Sequence, residues 1–402
     1  MTLLPPAQQS NAEAEVRRRV RDRGPITFAE FMEVALYLPH GGYYTTGTAF
    51  GPQGDFYTAP MTHPAFGALV GTQLAQMWRT LDSPSPFWVI EPAAGNGRLA
   101  ADIFDWSTTS DASFADALRY VTLDVGPSVR GGMGVRAAGL PVRMPHGVIL
   151  ANELLDSMPV HRVTVQDGVL RELRVGTDDG GALVDVPSDP TPGLAERLDS
   201  LGVRLGEGHR AEVNLGLDDW MSEAVSALDT GYVLLIDYGH EARDYYAPSR
   251  NRGTLRCYYR HTLNMNPYQH VGAQDISVHV EFSSLRRAAL AAGLTEANFT
   301  TQTDFLRGLG FDGLRTAIAG LRGLSAMERT ANLRAVDTLV DPEGMGGFKV
   351  AVFAKDAPVI GAAAASETEL KWSGAPPLLS ADHMPLSGPA EPEMPTWSEL
   401  LS

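Results

Sequence analysis

The chain has 402 residues, with 48 acidic against 32 basic side chains and a formal net charge of −16. At roughly 100–200 residues per domain, that length allows about two to four domains, or one core with appendages. The acidic excess repels a phosphate backbone and excludes nucleic acid as an expected partner. The single cysteine, Cys257, rules out a disulfide framework within the chain and a thiolate zinc site.

Residues 12–23 predict a helix in which Glu13/Arg17 and Glu15/Arg19 pair at i,i+4. The basic run Arg17-Arg18-Arg19 then reads as a solvated helix face. Residues 26–38 predict a second helix, with Thr27 and Glu30 forming a capping box and Phe28, Phe31, Met32, Ala35 and Leu36 on one stripe. Residues 47–64 read as a Gly/Pro/Thr-rich loop, and 66–81 as a third helix with a strong apolar face.

From Phe87 onward, short apolar runs alternate with helical stretches. The runs 87–91, 120–124, 147–151 and 232–237 have the composition of strands buried on both faces. This is the texture of an α/β fold with a parallel sheet. Between the third and fourth runs lies an inserted segment, about 160–230. Within it, 160–175 predicts a hairpin turning at Gln166-Asp167-Gly168, 178–193 reads as loop, and 194–205 and 217–228 read as helices. Further segments follow at 253–259, 282–293 (helical), 305–309 and 348–354, the last being a final strand. Residues 357–402 form a Pro/Ala-rich tail whose composition predicts disorder. The expected division is therefore a cap and active-site loop over 1–82, a core over 83–356 and the tail. With no apolar run near the ~18 residues of a membrane span and no signal-like start, a cytoplasmic protein without a membrane partner is expected.

The first core strand leads into Glu91-Pro92-Ala93-Ala94-Gly95-Asn96-Gly97-Arg98, followed by a helix. Glycine permits a tight turn and close backbone approach to a ligand, and the helix N-terminus offers unpaired N–H groups. A dinucleotide, S-adenosylmethionine or a purely structural turn can all use this arrangement. An acid at the strand end repels a pyrophosphate but suits a sulfonium and an ammonium, so Glu91 favours S-adenosylmethionine. Asp124, ending the second strand, can accept both hydroxyls of a ribose, or it can be a polar strand end. Asn152, Glu153 and Asp156 follow the third strand and are candidates for the substrate side; alternatively Asn152 caps a helix and Asp156 lies on the surface. His261, His270 and His279 have no metal-ligand spacing, and no metal is expected.

Several ordered blocks carry a family resemblance. They include Ile26-Thr-Phe-Ala-Glu-Phe-Met-Glu-Val-Ala-Leu-Tyr-Leu-Pro-His-Gly-Gly-Tyr-Tyr, Gly54-Asp55-Phe56-Tyr57-Thr58-Ala59-Pro60 and Ala151-Asn-Glu-Leu-Leu-Asp-Ser-Met-Pro-Val. Others are Leu235-Ile-Asp-Tyr-Gly and Gly253-Thr-Leu-Arg-Cys-Tyr-Tyr-Arg-His. In these blocks the chain resembles the MidA family, from about Gly24 to Lys355. The resemblance implies a seven-stranded, doubly wound, mostly parallel Rossmann-like methyltransferase sheet with a helical N-terminal cap. It implies S-adenosylmethionine bound around Glu91, Ala93, Gly95, Gly97 and Asp124, with Gly54, Thr58 and Pro60 from the loop. It places Asp55 with Asn152, Glu153 and Asp156 on the catalytic side. The implied reaction is methylation of a protein arginine, and a homodimer is carried as the assembly option.

Three positions depart from the family pattern. Ala93 replaces a usual glycine, and Met61 and Ala68 stand where acids are usual. Two alternatives follow: a methyltransferase for a small-molecule acceptor, and a non-catalytic assembly factor with a degenerate cofactor site. A guanidinium acceptor would be oriented by Glu153 or Asp156 through charge-assisted bonds. A hydroxyl acceptor would need one of them, or a histidine, as base.

Overall fold

A computed structural model describes residues 10–46, 58–126, 133–140, 143–260, 262–360, 372 and 375–383. Gly54 and Asp55 lie outside the described residues, as does most of the tail. The chain divides into two compact units.

The first unit comprises 1–55, 157–216 and 241–281. Helix α1 (Asn11–Arg23) is capped by the Ser10 hydroxyl, and Glu13–Arg17 and Glu15–Arg19 pair at 2.7 and 2.8 Å. Helix α2 (Phe28–Tyr37) opens with the Thr27/Glu30 capping box and buries the expected apolar stripe. A four-stranded antiparallel sheet is built from Leu183–Ser188, Val169–Thr177, His161–Gln166 and Arg210–Val213, in that spatial order. The hairpin turns at Asp167 (φ 53°) and Gly168 (φ 72°), a left-handed pair that matches strand twist. Residues 178–193 are not all loop: Leu183–Ser188 pairs with 172–177. Its alternation was hidden by Asp185 and Pro187 between the apolar residues. Two further short strands, Thr262–Asn264 and Asp275–Ser277, flank Arg256–Tyr259.

One buried carboxyl group of this unit is matched by its neighbours. Glu172, fully buried, takes bonds from Thr191 N–H (3.0 Å) and hydroxyl (2.8 Å) and faces His161 Nδ1 at 2.7 Å and Arg174 at 3.2 Å. Burial alone would raise its pKa, but His161 and Thr191 outweigh it and hold the group below the usual carboxylate range.

The second unit comprises 56–156, 217–240 and 282–402. It contains α3 (Ala59–Thr62), α4 (Ala65–Thr80) and α5 (Arg98–Ser110). Its sheet has seven strands, as expected: β1 (Phe87–Pro92), β2 (Leu118–Asp124), β3 (Met133–Arg136), β4 (Met144–Asn152), β5 (Leu228–Asp237), β6 (Thr295–Thr301) and β7 (Lys349–Lys355). The spatial order is β6-β7-β5-β4-β1-β2-β3. Strands β1–β5 pair in parallel, while β7 runs antiparallel between β5 and β6. Val89, Leu150, Leu234 and Val350 from its strands and Phe66, Leu69 and Ile103 from its helices form the core. Residues 305–309 lie in a helix, Gln302–Gly308 with Leu309 as C-cap, started by the Thr301 hydroxyl accepting from Asp304 N–H. Among the described residues no helix is long and apolar enough to cross a membrane.

Candidate active site at the strand ends

The strand order reverses between β1 and β4, because the chain leaves β1 toward β2 and β3 and returns to β4 on the other side. Ligands of open parallel sheets bind beyond the carboxyl ends at such a switch point. Four adjacent parallel strands, β2, β1, β4 and β5, carry the candidate residues at those ends.

Glu91 is the fifth residue of β1 and is 3% exposed. Its Oε2 accepts from the Tyr120 hydroxyl at 2.8 Å. The register pairs Tyr120 with Val89, two residues before Glu91 and on the same sheet face. Burial, with Asp124 nearby, pushes the Glu91 carboxyl up to about 8 against the relief from Tyr120. A neighbouring cation would relieve the same group.

The turn after β1 is left-handed at three positions, Ala93 (φ 57°), Gly95 (55°) and Gly97 (75°). Gly97 N–H closes the turn onto Ala94 O at 2.8 Å, and α5 begins at the next residue. Ala93 adopts the conformation that the family's glycine would hold freely, at a cost of about 1–2 kcal/mol. Asp124, ending β2, accepts from Gly95 N–H (2.8 Å, Oδ2) and Gly126 N–H (2.7 Å, Oδ1). It thereby ties the glycine turn to the neighbouring strand. Burial raises its pKa, and these backbone bonds work against that rise.

On the other side of the switch point, Asn152 ends β4 opposite Ile236 of β5. Glu153 follows with φ 51° and donates its N–H to Ile236 O at 2.9 Å. Its Oε1 accepts from Asn152 Nδ2 (2.9 Å) and from Ala59 N–H (3.3 Å). Ala59, between Thr58 and Pro60, thus ties this segment to Glu153. The buried Asn152 Oδ1 has no protein partner. Burial, then the nearby Asp156, pushes Glu153 up to about 8. Asp156 is buried and accepts from the Tyr238 hydroxyl at 2.6 Å.

Asp237 is the residue that sequence reasoning missed. It ends β5, is 1% exposed, and accepts from the N–H groups of Leu155 (2.9 Å), Asp156 (3.3 Å) and Tyr238 (2.9 Å). Burial, then Asp156 and Glu153, drives its pKa far upward. The signal was present, since Asp237 closes an apolar run just as Asp124 does. Met61 and Ala68, where acids are usual in the family, are buried at 3% and 1% exposure in α3 and α4. Among the described residues no cluster of His, Cys, Asp or Glu is arranged to hold a metal.

A doubly wound sheet with an acid–glycine turn at its switch point defines a nucleoside-binding α/β enzyme. The family described as "Putative S-adenosyl-L-methionine-dependent methyltransferase" matches residues 69–300, more than half of the chain. The chain belongs to this family, the MidA-type methyltransferases, whose cofactor is S-adenosylmethionine. A crystal structure of a COG1565 superfamily member from Burkholderia thailandensis bound to S-adenosyl-homocysteine is similar at 29% identity and TM-score 0.80, covering 91% of this chain and 98% of that one. The protein arginine methyltransferase NDUFAF7 homolog, mitochondrial, of Drosophila melanogaster is 28% identical over 69% of this chain and 70% of its own length. Protein arginine methyltransferase NDUFAF7, mitochondrial, of Homo sapiens is 27% identical over 82% and 79%.

Proposed function

We propose that this methyltransferase acts on a guanidinium, as an arginine side chain of a protein. The observation that carries the reading is the group of three acids, Glu153, Asp156 and Asp237, at the adjoining ends of β4 and β5. Asp156 raises the pKa of Glu153, and Asp156 and Glu153 together raise that of Asp237. A planar cation with several N–H donors would satisfy such a group and the buried Asn152 Oδ1 together.

In the same reading, the left-handed Gly95 and Gly97, the buried Glu91 and the strand-end Asp124 hold the cofactor. Glu91 faces its cationic portion, and Asp124 its ribose. When bound there, S-adenosylmethionine supplies an electrophilic methyl group on a sulfonium. The chain's own residues then align an acceptor nitrogen with that methyl group and exclude water. Asp237, fixed by three backbone N–H groups, is the rigid member of the acid group. Glu153, ionised once the bound cation offsets the burial that raises its pKa, takes up the proton that the guanidinium loses. Met61 and Ala68 are core residues, so their lost acids do not weaken this reading. A reducing compartment, the cytoplasm, suits the lone buried Cys257; the relatives named above carry a mitochondrial designation.

The test is transfer from methyl-labelled cofactor into lysate protein, followed by acid hydrolysis. Label in methylarginine is the expected result. Label confined to small molecules, or to another amino acid, overturns the arginine assignment.

A further inference from the structure

The tail contains a segment, residues 375–383, that packs within the second unit. Leu378 lies against its core cluster, and Leu379 N–H donates to Asn332 Oδ1 at 2.9 Å. His383 is 6% exposed. Its Nδ1 faces the Ser380 hydroxyl at 2.9 Å, and its Nε2 meets Asp102 Oδ2 at 3.1 Å. The adjacent Asp382 reaches Arg98 at 3.1 Å, and Arg98 also pairs with Asp102 Oδ1 at 2.9 Å.

These contacts converge on the first turn of α5. Arg98 directly follows Gly97, so its position is coupled through one peptide bond to the glycine turn. Asp102 cannot escape to water. It is 4% exposed, and it sits where Gly67 of α4 leaves room: a Cβ on Gly67 would lie 2.4 Å from Asp102 Cβ. A carboxylate held in such a place needs donors, and two chain segments supply them, Arg98 from its own helix and His383 from the tail. Ordering a proline-containing tail segment costs conformational entropy, and the polar contacts it makes to other elements fall on α5 and on Asn332, the one from His383 to Asp102 being buried.

We infer that residues 375–383 are a working part of the cofactor site, a strap in which His383 and Asp382 are positioning residues that hold the start of α5 and so set the glycine turn for S-adenosylmethionine. The inference rests on the cofactor binding at Gly95–Gly97.

The experiment uses the full chain and calorimetric titration with S-adenosyl-homocysteine. Displacing the start of α5 should raise the Kd about tenfold in His383→Ala, the scale expected of a small misplacement remote from the ligand. His383→Gln, whose amide N–H still reaches Asp102, should recover most of that loss, and Asp382→Ala should show a smaller one. A role confined to stability would lower the melting temperature of the ligand-free protein and leave Kd unchanged, and that result overturns the inference. Gly95→Val serves as control, because a β-branched residue cannot hold φ 55°. Binding lost in Gly95→Val but unchanged in His383→Ala defeats the strap alone. Binding retained in Gly95→Val defeats the cofactor placement and the strap with it.

Discussion

Glu172 in the first unit and Asp237 in the second are equally hidden from water, yet their carboxyls move in opposite directions. Glu172 is held low because His161 and Thr191 outweigh its burial. Asp237 is driven high because, beyond burial, its charged neighbours are Asp156 and Glu153. Burial sets the size of the electrostatic effect, and the partner's sign decides the outcome. Glu172 is balanced by neighbours within the first unit, whereas like charges crowd Asp237 at the strand ends of the second. Under the proposed function, the second arrangement is a receptor for a cation.

The most disruptive way to probe this contrast is Glu172→Ala, which strips His161 and Arg174 of their shared partner. Breaking such a pair should destabilise the protein by about 3–5 kcal/mol in urea unfolding. The pH dependence comes next. Glu91 and Glu153 sit near 8 when folded against an ordinary value of 4.5, so the folded state binds extra protons between those limits. Stability should therefore fall as pH rises from about 4.5 to 8 and level off above. Glu91→Gln should flatten that slope by about 3 kcal/mol between pH 5 and 8.5. Glu172 has the opposite sign: its contribution is present above its unfolded value and is lost as pH falls through the folded one. A parent stability curve that rises between pH 5 and 8 would contradict the receptor view.

Asp237→Asn separates the two roles from the other side. It removes the like-charge crowding with Asp156 and Glu153 but leaves at least one of the three backbone N–H groups without its acceptor, so unfolding free energy should change by no more than about 2 kcal/mol. Methyl transfer should fall about 100-fold, as for other groups that orient a reacting atom. Unimpaired transfer would remove Asp237 from the acceptor site. The smallest effect is expected at Ala93→Gly. Relieving a left-handed alanine should stabilise the protein by about 1 kcal/mol in urea unfolding.

Much of the second unit was legible because its central strands are uninterrupted Val/Ile/Leu runs buried on both faces. The edge strand Thr295–Thr301 was not, since its side chains are only partly buried or exposed and its composition is polar. Nor could local patterns show that the cap, the 160–216 insertion and residues 241–281 gather into one unit, because that grouping depends on contacts far apart in sequence. At the site, Glu91, the glycines and Asp124 were readable as acids and turns at strand ends. Tyr120 required the strand register, which places it on the Glu91 face. Asp237 required knowing that β5 lies beside β4, although residues 157–216 of another unit come between them in the chain.

The position of β7 has a consequence for how the protein is made. This strand, residues 349–355, is among the last described parts of the chain, yet it fills the gap between β5 and β6. On the ribosome, both of those strands emerge first and expose unpaired backbone edges toward a vacancy that only the final strand can occupy. Synthesis must pass residue 355 before the sheet can close. A nascent chain stalled before residue 349 carries two open edges, which makes it a natural client for a chaperone.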